Sequence, residues 1–104
     1  MDERIKQIWF HYGRVNQLEK ALEELEELRV EIAKFLKFVK ETDNRFTPAN
    51  RSENNFLKDK VAEEAADVSI MLEQLIFGLN IKARFEAWRD FKLERQISRM
   101  NQKS

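Results

Sequence analysis

Apolar residues recur along this chain at alternating intervals of four and three. From about Arg14 to Lys40 the series runs Leu18, Leu22, Leu25, Ile32, Leu36 and Val39, with Arg29 filling one place. That is the period of a helix with one apolar stripe, and the stripe is expected to face inward. A second helix is expected from about Leu57 to Leu79, through Val61, Ala65, Val68, Leu72 and Leu75, with Gly78 or Asn80 as its stop. A third runs from about Lys82 to Asn101, through Phe85, Trp88, Leu93, Ile97 and Met100. Ahead of them, Glu3 to Tyr12 reads as a short helix halted by Gly13, and Asn16 with Glu19 has the form of a capping box. No segment reads as a strand.

Between the two long helices lies ETDNRFTPANRSENNF, residues 41–56, which holds the only proline and a cluster of Asn, Ser, Thr and Asp. Those residues favour turns, so a loop is expected, with one short helical turn starting at Thr47-Pro48. The expected fold is all-α: a single domain over 1–104, an antiparallel helical bundle. Two long amphipathic helices and a shorter one bury a thin core, so completion by oligomerisation is expected, as a homodimer or homotetramer.

Composition narrows the classes. A chain of 104 residues suits one domain, and one Pro with two Gly leaves too little turn chemistry for a sandwich or a βαβ sheet. The absence of cysteine removes disulfides, thiol catalysis and Cys-ligated metals. No apolar run reaches membrane-spanning length, and the start MDERIKQIW is too charged for a signal peptide, so a cytoplasmic address is expected. Nineteen bases against nineteen acids exclude binding of a polyanion by bulk charge.

The neutral total conceals a separation. Residues 17–31 hold six acids against two bases, and residues 82–104 hold seven bases against three acids. Within the first helix, Glu24 and Glu27 share a face at the border of the apolar stripe, and Glu31 continues it. Within the second, Glu64 and Asp67 do the same. Either pair alone reads as a solvated acidic face. If the helices pack antiparallel along their stripes, the four carboxylates converge, and such a cluster takes up protons unless a cation neutralises it. Hard oxygen donors without Cys or a His set point to Mg²⁺, with Mn²⁺ as the alternative. Ala65 and Ala66 beside them are expected to let the helices approach. On the third helix, Lys92, Arg95 and Arg99 share a face that continues Phe85 and Trp88. A metal-binding acidic cluster and a basic stripe together suit a nucleoside triphosphate.

These residues also carry a resemblance. Tyr12-Gly13, then Asn16 to Leu28 (NQLEKALEELEEL), Glu63 to Leu75 (EEAADVSIMLEQL) and Lys92 to Arg99 (KLERQISR) resemble the MazG-like family, the all-α nucleoside triphosphate pyrophosphohydrolases. The resemblance covers most of the chain outside 41–56. It implies hydrolysis between the α and β phosphates, giving a monophosphate and pyrophosphate, and a role in nucleotide-pool house-cleaning. By matching position it implies Glu24, Glu27, Glu64 and Asp67 as Mg²⁺ ligands. Glu23 and Glu63 would orient water, Lys92, Arg95 and Arg99 would bind phosphate, and Gln17 would contact base or ribose. The proton acceptor is left open among Glu27, Glu63 and Glu23. Two positions depart from the family: Glu26 stands where many relatives have Gly, and the stretch from Glu27 to Glu64 is longer than in compact members.

Other residues suit plainer roles. His11 is the only histidine, which disfavours a His-based metal site, and Trp9, Phe77, Trp88 and Phe91 have core or interface spacing. Of a different class is a non-catalytic helical protein that oligomerises and binds a partner. No membrane and no nucleic acid are expected as partners, because acidic helices beside the basic one would repel phosphate.

Overall fold

Asp2 begins the first helix by accepting a hydrogen bond from the Arg4 N–H at 3.0 Å, satisfying a donor that the first turn leaves free. The helix, α1 (Glu3–Tyr12), buries Ile5 and Trp9 and ends at Gly13, whose φ of 88° lies in the region that favours glycine. The chain restarts at once as α2 (Arg14–Glu41). Asn16 is not its cap; the Asn16 amide donates to the Tyr12 carbonyl at 2.8 Å and ties the two helices across the break. The computed structural model describes residues 2–102. These form two further helices, α3 (Arg51–Gly78) and α4 (Lys82–Gln102), and contain no strand. The protein is all-α, and no helix among the described residues is long and apolar enough to cross a membrane.

The expected loop is much shorter than 41–56. Turn residues with positive φ at Asp43 and Asn44 reverse the chain, and a 3₁₀ turn over Pro48–Asn50 leads into α3 at Arg51 rather than Leu57. Thr47 and Asn50 form a reciprocal capping box, with the Asn50 side chain accepting from the Thr47 N–H at 2.9 Å. Phe46 stacks on buried Phe38 at 6.2 Å between ring centres, which seats the turn on the end of α2. The Asn-rich composition disguised the first turn of α3, because Asn54 is spent on burial rather than on a turn.

α2 and α3 form a long antiparallel hairpin, with α1 packed chiefly on α3. Trp9 lies flat against Gly78, and a Cβ at that position would fall inside the indole ring. The largest departure from expectation concerns the inward line of α2. It is Gln17, Ala21, Glu24 and Phe38 that are buried, whereas Leu22 is 70% exposed and Leu18, Leu25, Ile32 and Leu36 are exposed with it. At about 100° per residue, those leucines lie roughly 100° round the helix from the buried line. α3 repeats this: Asn54, Val68, Met71 and Gln74 are buried, while Leu72 and Leu79 sit on its flank. In an antiparallel pair the two flanks share one side, so the hairpin has a leucine side. α4 packs only on α3, and each of its described residues is exposed.

Candidate metal centre

One antiparallel register organises the inward line of the hairpin. It sets Gln17 against Gln74, Glu24 against Asp67 and Glu27 against Glu64. In each helix the two acids are three apart, hence on one face, and the register brings both pairs to the same level. A carboxylate oxygen from each of Glu24, Glu27, Glu64 and Asp67 lies within 4.8 Å of the others. The convergence expected from the sequence is therefore present, but on the buried line instead of at a stripe's border. Ala21, a small residue, is buried on that same line. Ala65 and Ala66 are exposed and do not lie between the helices.

Burial makes this cluster different from a solvated acidic face. Glu24 is only 6% exposed, and its Oε2 is shielded from solvent with no hydrogen-bond partner. Glu64 Oε2 is shielded and unpartnered in the same way. Orphan carboxylate oxygens in a protein interior are costly unless a proton or cation meets them. Loss of hydration, followed by the approach of Glu27 and the charges of Glu27, Asp67 and Glu63, raises the Glu64 carboxyl above its ordinary value. Lys20 gives partial relief, its Nζ lying 3.1 Å from Glu24 Oε1 and 3.5 Å from Glu23 Oε2. Those carboxylates, Glu24 first, raise the Lys20 ammonium in turn.

A groove of about 530 Å³ opens beside the cluster between α1, α2 and α3. Glu23, Glu24, Asp67 and Lys20 line one end, and Ile8, Tyr12 and Asn16 the other. Between them lie Gln17, Ile70, Met71 and Gln74. Gln17 Nε2 donates to Gln74 Oε1 at 2.7 Å, and the Gln74 amide approaches Met71 Sδ at 3.6 Å. Gln74 is 1% exposed and is a groove residue that the sequence reading missed. Its signal was present, since it follows Asp67 by seven residues, two helical turns on the same face. Lys20 was missed too, although it precedes Glu24 by four.

The remaining candidates separate. Glu23 lines the groove, whereas Glu63 is exposed, outside the groove, and 3.5 Å from Lys60. Lys92, Arg95 and Arg99 lie on α4, exposed, and line no part of the groove; Arg95 instead covers the Phe91 ring. Within one chain the structure brings the four carboxylates, Glu23 and Gln17 together and leaves the basic stripe apart. Comparisons with models of known families, with curated proteins and with solved structures return no match.

Proposed function

We propose that this chain is a Mg²⁺-dependent nucleoside triphosphate pyrophosphohydrolase of the all-α bundle type. Water would add to the phosphorus on one side of the α–β bridge, and cleavage of that bond would release a (deoxy)nucleoside monophosphate and pyrophosphate. The observation that carries the reading is the four-carboxylate cluster with two shielded, unpartnered oxygens. A donor set of hard, anionic, desolvated oxygens fits a hard divalent cation, Mg²⁺ or Mn²⁺, better than it fits any neutral ligand. Glu24, Glu27, Glu64 and Asp67 would hold it, and a bound ion would supply charge neutralisation for phosphate and acidify water.

The chain's own residues then divide the work. Lys20 screens Glu24 and Glu23 from the side. Glu23 in the groove and Glu27 at the cluster's exposed edge are in reach of water, so either suits proton acceptance better than Glu63, which lies outside the groove and pairs with Lys60. The groove's far end, with Tyr12 and Asn16 above the Gln17–Gln74 pair, offers a flat ring and amide groups to a nucleoside. The likeness of Asn16 to Leu28 and Glu63 to Leu75 to the MazG-like family supports the same reading.

The test is pyrophosphate release from a panel of NTPs and dNTPs with Mg²⁺, by the wild type, Glu24→Gln and Asp67→Asn. Removing a residue behind a ligand already costs 10–100-fold, so each ligand substitution is expected to cost more than about 100-fold. Release from no nucleotide, or release indifferent to both substitutions, defeats the proposal. The competing reading, a non-catalytic helical interaction protein, draws on the exposed leucines. It expects Mg²⁺ to leave the melting temperature unchanged, whereas a cation bound only by the native state raises it.

A further inference from the structure

The groove beside the carboxylates has one base of its own. Its lining includes the acids Glu19, Glu23, Glu24 and Asp67, and against them only Lys20. Lys20 Nζ sits 3.1 Å from Glu24 Oε1 and 3.5 Å from Glu23 Oε2. Helix geometry alone does not favour that choice, because a Lys four residues ahead of a Glu is the weaker order for such a pair. What sets Glu24 apart is its surroundings. Its carboxylate is buried, its Oε2 meets no partner, and Glu27, Glu64 and Asp67 stand beside it. Among the described residues, Glu24 is the one member of that cluster held in an ion pair. The Lys20 ammonium is therefore the counter-charge that the chain itself supplies to the cluster. The Lys20 side chain is 51% exposed on a flexible four-carbon stem, so charge more than packing keeps it there.

We infer that Lys20 exchanges partners: it neutralises Glu24 while the carboxylates lack a divalent cation, and it turns to the phosphates of the nucleotide once they hold one. This exchange rests on the reading of Glu24, Glu27, Glu64 and Asp67 as cation ligands, and it adds Lys20 to that site. Charge and location both favour it. An ammonium and a divalent cation beside one carboxylate repel each other and draw on the same negative charge, so each weakens the hold of Glu24 on the other. The competition is strong here because a buried carboxylate is little screened by water and salt. Location points the same way. Lys92, Arg95 and Arg99 line no part of the groove, so within one chain Lys20 is the base that can meet a polyanion beside the carboxylates. A compact ammonium on a mobile stem suits phosphate as a point charge. Lys20 stays an ammonium throughout, and only its partner changes.

One variant should therefore show two effects of opposite sign. Lys20→Met keeps the aliphatic stem and removes the charge. Its affinity for Mn²⁺, read by calorimetry or by loss of the free-ion spin-resonance signal, should rise about tenfold, as expected when a unit charge leaves the vicinity of a dication. Its affinity for inorganic tripolyphosphate in excess Mg²⁺, a probe with no base or sugar, should fall about tenfold or more, the loss of a charged hydrogen bond. Metal-free Lys20→Met should melt below the wild type, and Mg²⁺ should raise its melting temperature by the larger amount. Lys60→Met removes a charge outside the groove and should leave both affinities unchanged. A purely structural Lys20 would lower both affinities together. Mn²⁺ affinity that is equal or weaker in Lys20→Met overturns the exchange and leaves the carboxylates standing as metal ligands. Tripolyphosphate binding that is absent, or indifferent to Lys20→Met, overturns it as well, as does a Lys60→Met that reproduces both effects. If neither the wild type nor Lys20→Met binds Mn²⁺, the cation site itself falls, and the exchange with it.

Discussion

The two sides of one helical hairpin use opposite chemistry. On one side and along the inward line, α2 and α3 place Gln17, Glu24, Asn54 and Gln74 in the interior, where apolar residues would ordinarily sit. On the other side, leucines that would make a good core stand in solvent. The contrast is one of placement: this hairpin gives interior positions to a polar site with shielded carboxylate oxygens and leaves apolar area at its surface.

The sharpest way to break that contrast is at the buried amide pair. Gln74→Leu strands the Gln17 amide and should cost about 1–3 kcal/mol, the penalty for an orphaned buried polar group. Adding Gln17→Leu should return most of it, because the stranded group is then gone, and a double-mutant cycle by urea unfolding measures the recovery. An additive pair of losses would mean that the amides do not interact. Gly78→Ala tests the packing of α1 on the same line. A methyl group there must displace Trp9, for an expected cost of about 1–3 kcal/mol in the same assay.

The carboxylates give a pH signature. The folded-state value of Glu64 is raised, so its contribution is fully present below the ordinary carboxylate range and is lost as pH rises through the folded value. Metal-free protein should therefore melt at a lower temperature at pH 8 than at pH 5 as far as this group is concerned. Glu64→Gln should flatten that slope and melt higher than the wild type at pH 8. Added Mg²⁺ should reverse the order of the two proteins, since the ion meets the charge in the wild type alone. The smallest effect is expected one residue away. Glu63 is 57% exposed at its side chain and pairs with Lys60 in solvent, so Glu63→Gln should change stability by less than about 0.5 kcal/mol. A large loss there would remove the distinction between the buried and solvated acids.

Much of the architecture was legible in the residues. Gly13 and Asn80 marked the breaks beside α1 and α3, and the spacing of Glu24, Glu27, Glu64 and Asp67 announced two carboxylate pairs on helical faces. The start of α3 was hidden, because Asn and Ser before Phe56 look like turn residues until Asn54 is seen to be buried. Gln74 was hidden because its seven-residue spacing from Asp67 gains meaning only once the acidic line, and not the leucines, is known to face inward.

The sequence by itself determined that the chain is helical, where α1 and α3 end, and which acids share a face, since these follow from the 3.6-residue period and from local backbone preferences. Only the tertiary structure decided which face of each helix turns inward. Periodicity reports that a stripe exists, but not whether it meets the same chain or another. The antiparallel register that joins Glu24 to Asp67 is a contact between residues distant in sequence, set by how the whole hairpin packs. That register turns two ordinary acidic pairs into one partly buried cluster and leaves the leucines outside.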